Sequence, residues 1–440
     1  MSGAVAAHAA YNYTGTQDLA VTDRIADVST GGSLPDYMSV FWNKNDTTKQ
    51  LLYGSALVEV SAGGGSSSNS ILSSNMQFFD VNNDIDCLGN LVLKVTLTNG
   101  SSASTLTGQQ ITSIIQRVEI QVGTQIWQTF EHADLQALAA TELSKGSFED
   151  YSFQTTGGVG DSGIFDNTKL ANASNRVAAN AIVVAFIPLK LFTKTLAPHL
   201  ETFAEHSESG YLMAAAPNQS VRVKVYTVGG AVSNFTEVQL TLYAVNHVMC
   251  ETEREQMRVE SASTAGRVTG MPKRIKMTQN QMRNPTTDNA ATVELDLDHF
   301  SLYASHLIIS FGGDLQDVSE KNLRNAKAEL LLNSTSFSSK LPLGLLKLTA
   351  SSIGLNSHEY RLSETSAAEG HKGIQHTFVF PLASRAYGGS SVPLNRFDNI
   401  RLKLTELAGA ALNTGTTVSV TCVGETTALY KNGAASLAMY

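Results

Sequence analysis

Several groupings of residues in this chain have the types and spacing that chemistry uses, and each lacks the residues that would complete it. Glu294, Asp296 and Asp298 alternate along one predicted strand, Val293 to Asp298. Three carboxylates on one face could collect a hard cation, but a solvated strand face has the same pattern and is the reading adopted. Asp80-Val81-Asn82-Asn83-Asp84 imitates the opening of a calcium-binding loop. Ile85 stands where the sharp turn needs Gly, and Leu91 where the loop needs a bidentate Glu, so a turn before a strand is expected. Gly158-Val159-Gly160-Asp161-Ser162-Gly163 satisfies GxGxxG. A dinucleotide site also needs a strand before it, a helix after it and an acidic residue about 20 positions on. Gln154-Thr155-Thr156 is a poor strand end, Ile164-Phe165-Asp166-Asn167 is a poor helix start, and positions 182 to 184 are Ile, Val and Val. A loop is expected. His199 and His206 flank Glu201 and Glu205, the nearest approach to a metal-ligating cluster, but there is no HExxH, no GxSxG elbow and no Walker loop. The expectation is no catalysis, no cofactor and no metal.

The remaining reactive groups read the same way. Cys87, Cys250 and Cys422 lie far apart without a CxxC pair, which predicts reduced, mostly buried thiols in a reducing compartment. Sequons stand at Asn12, Asn45, Asn99, Asn172, Asn218, Asn234 and Asn333. They act only in a glycosylating compartment. The first residues, Met1 to His8, lack the basic and apolar regions of a signal peptide, so these sequons are expected to stay unmodified. The longest apolar run, Ala181 to Leu189, is already broken by Pro188 and falls short of the roughly 20 residues a membrane helix needs.

Composition narrows the classes further. Charged residues are 16% of the 440, below the roughly 25% usual for globular chains. The balance is 31 − 39 = −8, which speaks against a surface dedicated to nucleic acid.

The elements that must position these residues are nearly all strands. Period-two alternation recurs in two batches. Leu91 to Leu97, Arg117 to Val122, Val221 to Tyr226 and Val238 to Leu242 make the first. Val293 to Asp298, Leu307 to Phe311, Ala328 to Leu332, Thr377 to Phe380, Ile400 to Thr405 and Thr417 to Val423 make the second. Many short strands with long polar connections indicate antiparallel sandwiches rather than a βαβ fold. Glu131 to Leu143 breaks the pattern, with leucines among alanines and acidic residues near its start, and predicts a short helix. It follows a predicted hairpin turn at Gly123-Thr124-Gln125. Between the batches, Glu251-Thr252-Glu253-Arg254-Glu255-Gln256-Met257-Arg258 is the densest charge cluster, and small polar residues from Ser261 to Gly270 follow it. The division expected is an arm (1–50), a first sandwich (51–250), a connector (251–270) and a second sandwich (271–440).

The stretch from Gln375 to Thr405 carries a further signal. One strand is followed by a Gly-rich excursion, then by Asn395-Arg396-Phe397-Asp398-Asn399, which feeds the strictly alternating strand from Ile400. This corner resembles the second jelly roll of the major capsid proteins of nucleocytoplasmic large DNA viruses, such as those of algal viruses. Phe41-Trp42-Asn43-Lys44 ahead of Leu57 to Val60 resembles that family's N-terminal approach to its first roll, and the turn at Gly123 followed by the helix from Glu131 is similar as well. The connector at Glu251-Thr252-Glu253-Arg254 sits where the family joins its two rolls.

The resemblance covers most of the chain and implies an all-β fold of two consecutive eight-stranded antiparallel jelly rolls, with short helices in loops. It implies a structural major capsid protein, not an enzyme, forming pseudo-hexagonal homotrimers that tile an icosahedral shell. The partners implied are the chain itself, neighbouring capsomers, and minor capsid and penton proteins, with any internal membrane reached through the minor proteins and no direct contact with nucleic acid. The place implied is the virion, with assembly in the host cytoplasm. Asn395, Arg396, Asp398 and Asn399 are expected to form a structural corner in which partly buried Arg396 and Asp398 need each other. The alternatives are a minor capsid or penton protein of the same lineage, or a jelly-roll carbohydrate-binding protein.

Overall fold

Four main antiparallel sheets are built from the described strands, and none of them mixes strands from the two halves of the sequence. The computed structural model describes residues 54–60, 62–63, 76–81, 85, 87–99, 104–105, 115–142, 152–155, 162–163, 176–177, 182–189, 212–213, 220–227, 235–248, 271–313, 320–352, 355, 374–383, 391–410, 412–431 and 434–437. The first half supplies β1 (Gly54–Val60), β2 (Met76–Val81), β3 (Cys87–Asn99), β4 (Ile115–Val122), β5 (Gln125–Glu131), β6 (Ile182–Leu189), β7 (Val221–Thr227) and β8 (Phe235–Val248). The second supplies β9 (Met271–Arg283), β10 (Thr292–Asp296), β11 (Tyr303–Gly313), β12 (Lys327–Leu332), β13 (Thr335–Ser336), β14 (Ile374–Pro381), β15 (Ile400–Thr405) and β16 (Thr416–Lys431).

The first half pairs them as β1-β8-β3-β6 and β2-β7-β4-β5, the second as β9-β16-β11-β14 and β10-β15-β12-β13. Adding eight to each strand number converts the first pattern into the second. This order, with the last strand between the first and the third, is that of the two-sheet jelly roll. Short strands extend the plan: Ser152–Thr155 beyond β6, Val392–Pro393 on β11 and Ala434–Leu437 on β16. Three helices occur among the described residues: α1 (His132–Glu142), α2 (Glu320–Asn325) and α3 (Leu343–Ser352). α1 and α3 hold the same place, between the fifth and sixth strands of their rolls.

Alternation explains why these strands form and which face each buries. In β7, Val221, Val223 and Val225 are buried while Arg222, Lys224 and Tyr226 reach outward. In β15, Ile400, Leu402 and Leu404 repeat the pattern. Burying each such side chain stabilises by about 1.5–3 kcal/mol, and a register slip of one residue would turn them all to water. The hairpin predicted at Gly123 joins β4 to β5; its φ of +59° suits glycine, and its N–H donates to the Ser220 carbonyl at 2.7 Å.

The strands and the helix expected from the sequence are present. One local reading is corrected: Gln154 and Thr155 end a strand rather than a loop, and Ser152–Thr155 pairs with Ser162–Gly163 inside the GxGxxG segment. The arm at 1–50 and the connector at 251–270 lie outside the described residues.

Candidate functional site

The carboxylates singled out for chemistry have structural partners wherever their side chains are described. Glu294 receives a hydrogen bond from Arg401 Nη1 at 3.1 Å across the β10–β15 pair. β10 ends at Asp296, so Asp298 does not share its face as expected. Its Oδ1 instead accepts the Ile400 N–H at 2.5 Å, and Asp296 Oδ1 accepts the Asp298 N–H at 3.2 Å. Asp80 lies within β2 and pairs with Arg222 at 2.6 Å, which removes it from any calcium loop. Among the described residues no group of His, Cys, Asp and Glu could hold a metal ion. Cys422 is a free, buried thiol, and desolvation pushes its pKa up, away from reactivity. His199, Glu201, Glu205, His206, Cys250 and the sequons at Asn12, Asn45, Asn172, Asn218 and Asn234 lie outside the described residues; Asn99 ends β3 and Asn333 sits in a turn.

The corner before β15 departs from expectation in its physics. Leu394–Arg396 forms a 3-10 turn, with Leu394 buried and Phe397 packed on the core. The side chains of Arg396 and Asp398 are both exposed and form no ion pair with each other. The corner is held through the backbone instead. Asn333 Oδ1 accepts the N–H groups of Asp398 at 2.9 Å and Asn399 at 3.1 Å.

What the structure does concentrate is a buried polar seam between the rolls. The sheet β9-β16-β11-β14 is covered on both faces. One face carries Leu307, Ile309, Phe311, Val418, Val420 and Cys422 into the core of its own roll. The other presents Thr278, His306, Ser310, Thr377, Ser419 and Thr421, all 5% exposed or less. α1 and β5 of the first roll lie on that second face, α1 against β14, β11 and β16, and β5 against β9.

Two side chains of the first roll make the seam specific. Gln128 Oε1 accepts the Thr278 N–H at 3.0 Å while its Nε2 donates to the Thr278 carbonyl at 3.1 Å and to its hydroxyl, much as a neighbouring strand would pair. Asp134, 1% exposed, accepts from Thr421 Oγ1 at 2.7 Å and Asn280 Nδ2 at 2.5 Å through one oxygen. Its other oxygen accepts the Glu131 N–H at 3.0 Å. That last bond is the returning half of a capping box, from the third helical residue to the N-cap amide. α1 is thus started and docked by the same carboxyl. Desolvation raises the Asp134 pKa to about 6, and the hydrogen bonds from Thr421, Asn280 and Glu131 limit the rise.

Sequence reasoning placed Asp134 in a helix start but missed its docking role. The available signal was on the partner strands. Thr417-Val418-Ser419-Val420-Thr421 alternates with small hydroxyls where an outward strand face usually carries Lys or Glu.

No family model matches the sequence, and no curated protein matches it. Solved structures do match. PBCV-1 VP54, as fitted into a reconstruction of the virophage Sputnik, superposes with a TM-score of 0.62 at 12% identity, over 89% of this chain and 98% of that one. The quasi-atomic PBCV-1 virus capsid gives 0.61 at 12% identity, over 89% and 98%. The Faustovirus major capsid protein gives 0.53 at 8% identity, over 93% and 97%. The fold is the double jelly roll. The match spans nearly the whole of each of those chains, so the likeness in fold takes in both rolls.

Proposed function

We propose that this chain is the major capsid protein of an icosahedral virus of the large-DNA-virus kind. Three copies form a pseudo-hexagonal capsomer, and capsomers tile the shell. The observation that carries the reading is the seam. Gln128 and Asp134 weld two rolls into one block, and the likeness to capsid structures extends along that whole block. The carboxylates of Asp80, Glu294 and Asp298 are engaged in holding strands, which fits a structural role rather than catalysis. In this reading 51–250 and 271–440 are the two rolls, 251–270 the connector and 1–50 an arm. The corner at Asn395, Arg396, Asp398 and Asn399 is structural. The partners are neighbouring capsomers and minor capsid and penton proteins, and the protein resides in the virion after assembly in the host cytoplasm. Light scattering of the purified chain is expected to give 3 × 47.0 = 141 kDa for the smallest stable species. A stable monomer at micromolar concentration, with no larger species at any salt or pH, would overturn the reading.

A further inference from the structure

The two side chains that make the seam specific, Gln128 and Asp134, differ in one property. Gln128 holds the edge of β9 with a carboxamide, Oε1 accepting the Thr278 N–H at 3.0 Å and Nε2 donating to the Thr278 carbonyl at 3.1 Å. No group in that contact titrates. Asp134 holds β9 and β16 with a carboxyl, which accepts from Asn280 Nδ2 at 2.5 Å and from Thr421 Oγ1 at 2.7 Å. Its second oxygen takes the Glu131 N–H at 3.0 Å, so the start of α1 and its docking depend on the same titratable group. One contact is blind to protons and the other is not.

Both forms of the carboxyl find partners in the seam. The ionised form accepts from all three donors. The protonated form can donate to Thr421 Oγ1, a hydroxyl that accepts as well as it donates. Burial favours the protonated form and raises the pKa to about 6; the bonds from Thr421, Asn280 and the Glu131 N–H oppose that rise, and the Glu131 carboxylate adds a smaller push upward. Along the chain Asp134 is flanked by Glu131 and His132, with Glu142 at the far end of α1. Across the seam stand His306 on β11, the register pair Lys276 and Glu425 on β9 and β16, and His299, whose Nε2–H donates to the Asn280 carbonyl at 3.1 Å. On β14 the seam residue is Thr377, and His376 stands opposite core-facing Phe311.

We infer that the seam is a proton-governed latch: loss of the Asp134 proton favours undocking of α1 from the second roll, while the Gln128–Thr278 contact stays closed and serves as the pivot. The sign follows from linkage. Undocked, Asp134 stands in water and ionises at its ordinary value of 3.8; docked, it ionises at about 6. Docking is strongest while the proton is held, weakens as pH rises from about 4 to about 6, and then levels off. These two values make the opening equilibrium of α1 grow about tenfold between pH 5 and pH 8, most of it below pH 7. The Gln128 contact has no such dependence, so the two ends of one short segment respond differently to the same change.

Amide hydrogen exchange of the full chain, expressed as protection factors from pH 5 to pH 8, tests the latch against an internal reference. Protection of the Glu131 and α1 amides is expected to fall about tenfold, while that of Thr278, whose N–H is held by Gln128, stays level. Asp134→Asn keeps a carbonyl acceptor and removes the charge, so its α1 protection is expected to stay level over the same range. A level α1 profile in the wild type would overturn the inference. So would a parallel fall at Thr278, which would mean that the whole seam opens together. A fall in Asp134→Asn equal to that of the wild type would assign the proton to another group of the seam and overturn it as well. If Asp134→Asn does not fold, the wild-type contrast between α1 and Thr278 decides alone.

Discussion

The two rolls share a strand order and differ on the outer face of one sheet. In the second roll that face is buried under α1 and holds Thr278, Ser310, Ser419 and Thr421. In the first it holds Lys94 and Tyr243, with Glu59 exposed beside them on β1. Inward positions are apolar in both, so alternation alone does not separate the rolls. The difference teaches that the outward half of the alternation records what covers a sheet. The covered face takes short side chains, and the hydroxyls of Thr278, Ser419 and Thr421 are hydrogen-bonded there while that of Ser310 is not; a buried unpaired polar group costs about 1–3 kcal/mol, which disfavours longer polar side chains under a cover. An open face tolerates long or charged side chains. The other sheet of the first roll makes the same point. Its outer face carries Arg222 paired with Asp80 at 2.6 Å, and Arg117 stacked 4.4 Å from the Tyr226 ring centroid.

The comparison is sharpest where the last strand of each roll passes a bulge. In the second roll Gly424 lies opposite Ala304, beside the register shift between Ala304 and His306. A Cβ at Gly424 would stand 2.5 Å from the Tyr303 carbonyl oxygen and 3.0 Å from the Ala304 Cα. Both are backbone atoms with no flexible end to yield. In the first roll buried Ala244 occupies the residue beside the matching shift and already carries a Cβ. Gly424→Val is expected to destabilise by about 3 kcal/mol, the upper range for overpacking, whereas Ala244→Gly should cost only about 0.5–1 kcal/mol. Chemical denaturation of the two variants checks this, and equal losses would show that the rolls are packed alike at this point.

The seam gives the next largest effect and a pH dependence that the open face lacks. The Asp134 pKa is about 6 in the fold and 3.8 in the reference state. Below about pH 4 the group is protonated in both states and contributes nothing to the pH dependence. Between about 4 and 6 the folded chain holds a proton that the unfolded chain has released, so stability falls as pH rises. Above about 6 the full cost of the buried charge is present. Asp134→Ala removes the acceptor for Thr421, Asn280 and Glu131, at a cost of about 1–2 kcal/mol near pH 5. It also removes the buried charge. The deficit of the variant relative to wild type is therefore expected to shrink from pH 5 to pH 8. Melting temperatures measured across that range check it; a deficit that grows with pH would mean that the carboxylate is stabilised, not penalised, at the seam.

Much of the fold was legible because alternation is a one-dimensional pattern. Val221 to Tyr226 and Ile400 to Thr405 declare their buried faces without reference to any neighbour. The helix from Glu131 was legible from its alanines and leucines. The seam was not, because Asp134 meets Thr421 across 287 positions, and nothing local distinguishes a docking carboxylate from one that caps a helix. The corner failed for a related reason. Arg396 and Asp398 look like a pair in sequence, but the group that organises them, Asn333, lies 65 positions away from Asp398.

That corner closes the comparison with its smallest effects. In each roll the turn between the fourth and fifth strands has a left-handed residue whose N–H reaches the carbonyl just before the seventh strand. Gly123 donates to Ser220 at 2.7 Å, and Asn333, with φ of 49°, donates to Asn399 at 2.7 Å. The first roll uses glycine, which enters this conformation without strain. The second uses asparagine, which tolerates it and adds a side-chain oxygen to hold Asp398 and Asn399. Four substitutions separate the contributions. Asn333→Gly keeps the backbone conformation and loses the two side-chain bonds, so about 1 kcal/mol is expected. Asn333→Ala adds the strain of a left-handed Cβ and should cost roughly 1 kcal/mol more than Asn333→Gly. Arg396→Ala and Asp398→Ala touch exposed side chains and should stay within about 0.5 kcal/mol of wild type. Equilibrium unfolding of the four variants orders them. If Arg396→Ala or Asp398→Ala cost more than Asn333→Gly, the corner would be held by its charges after all, and the likeness between the Gly123 and Asn333 turns would be one of shape alone.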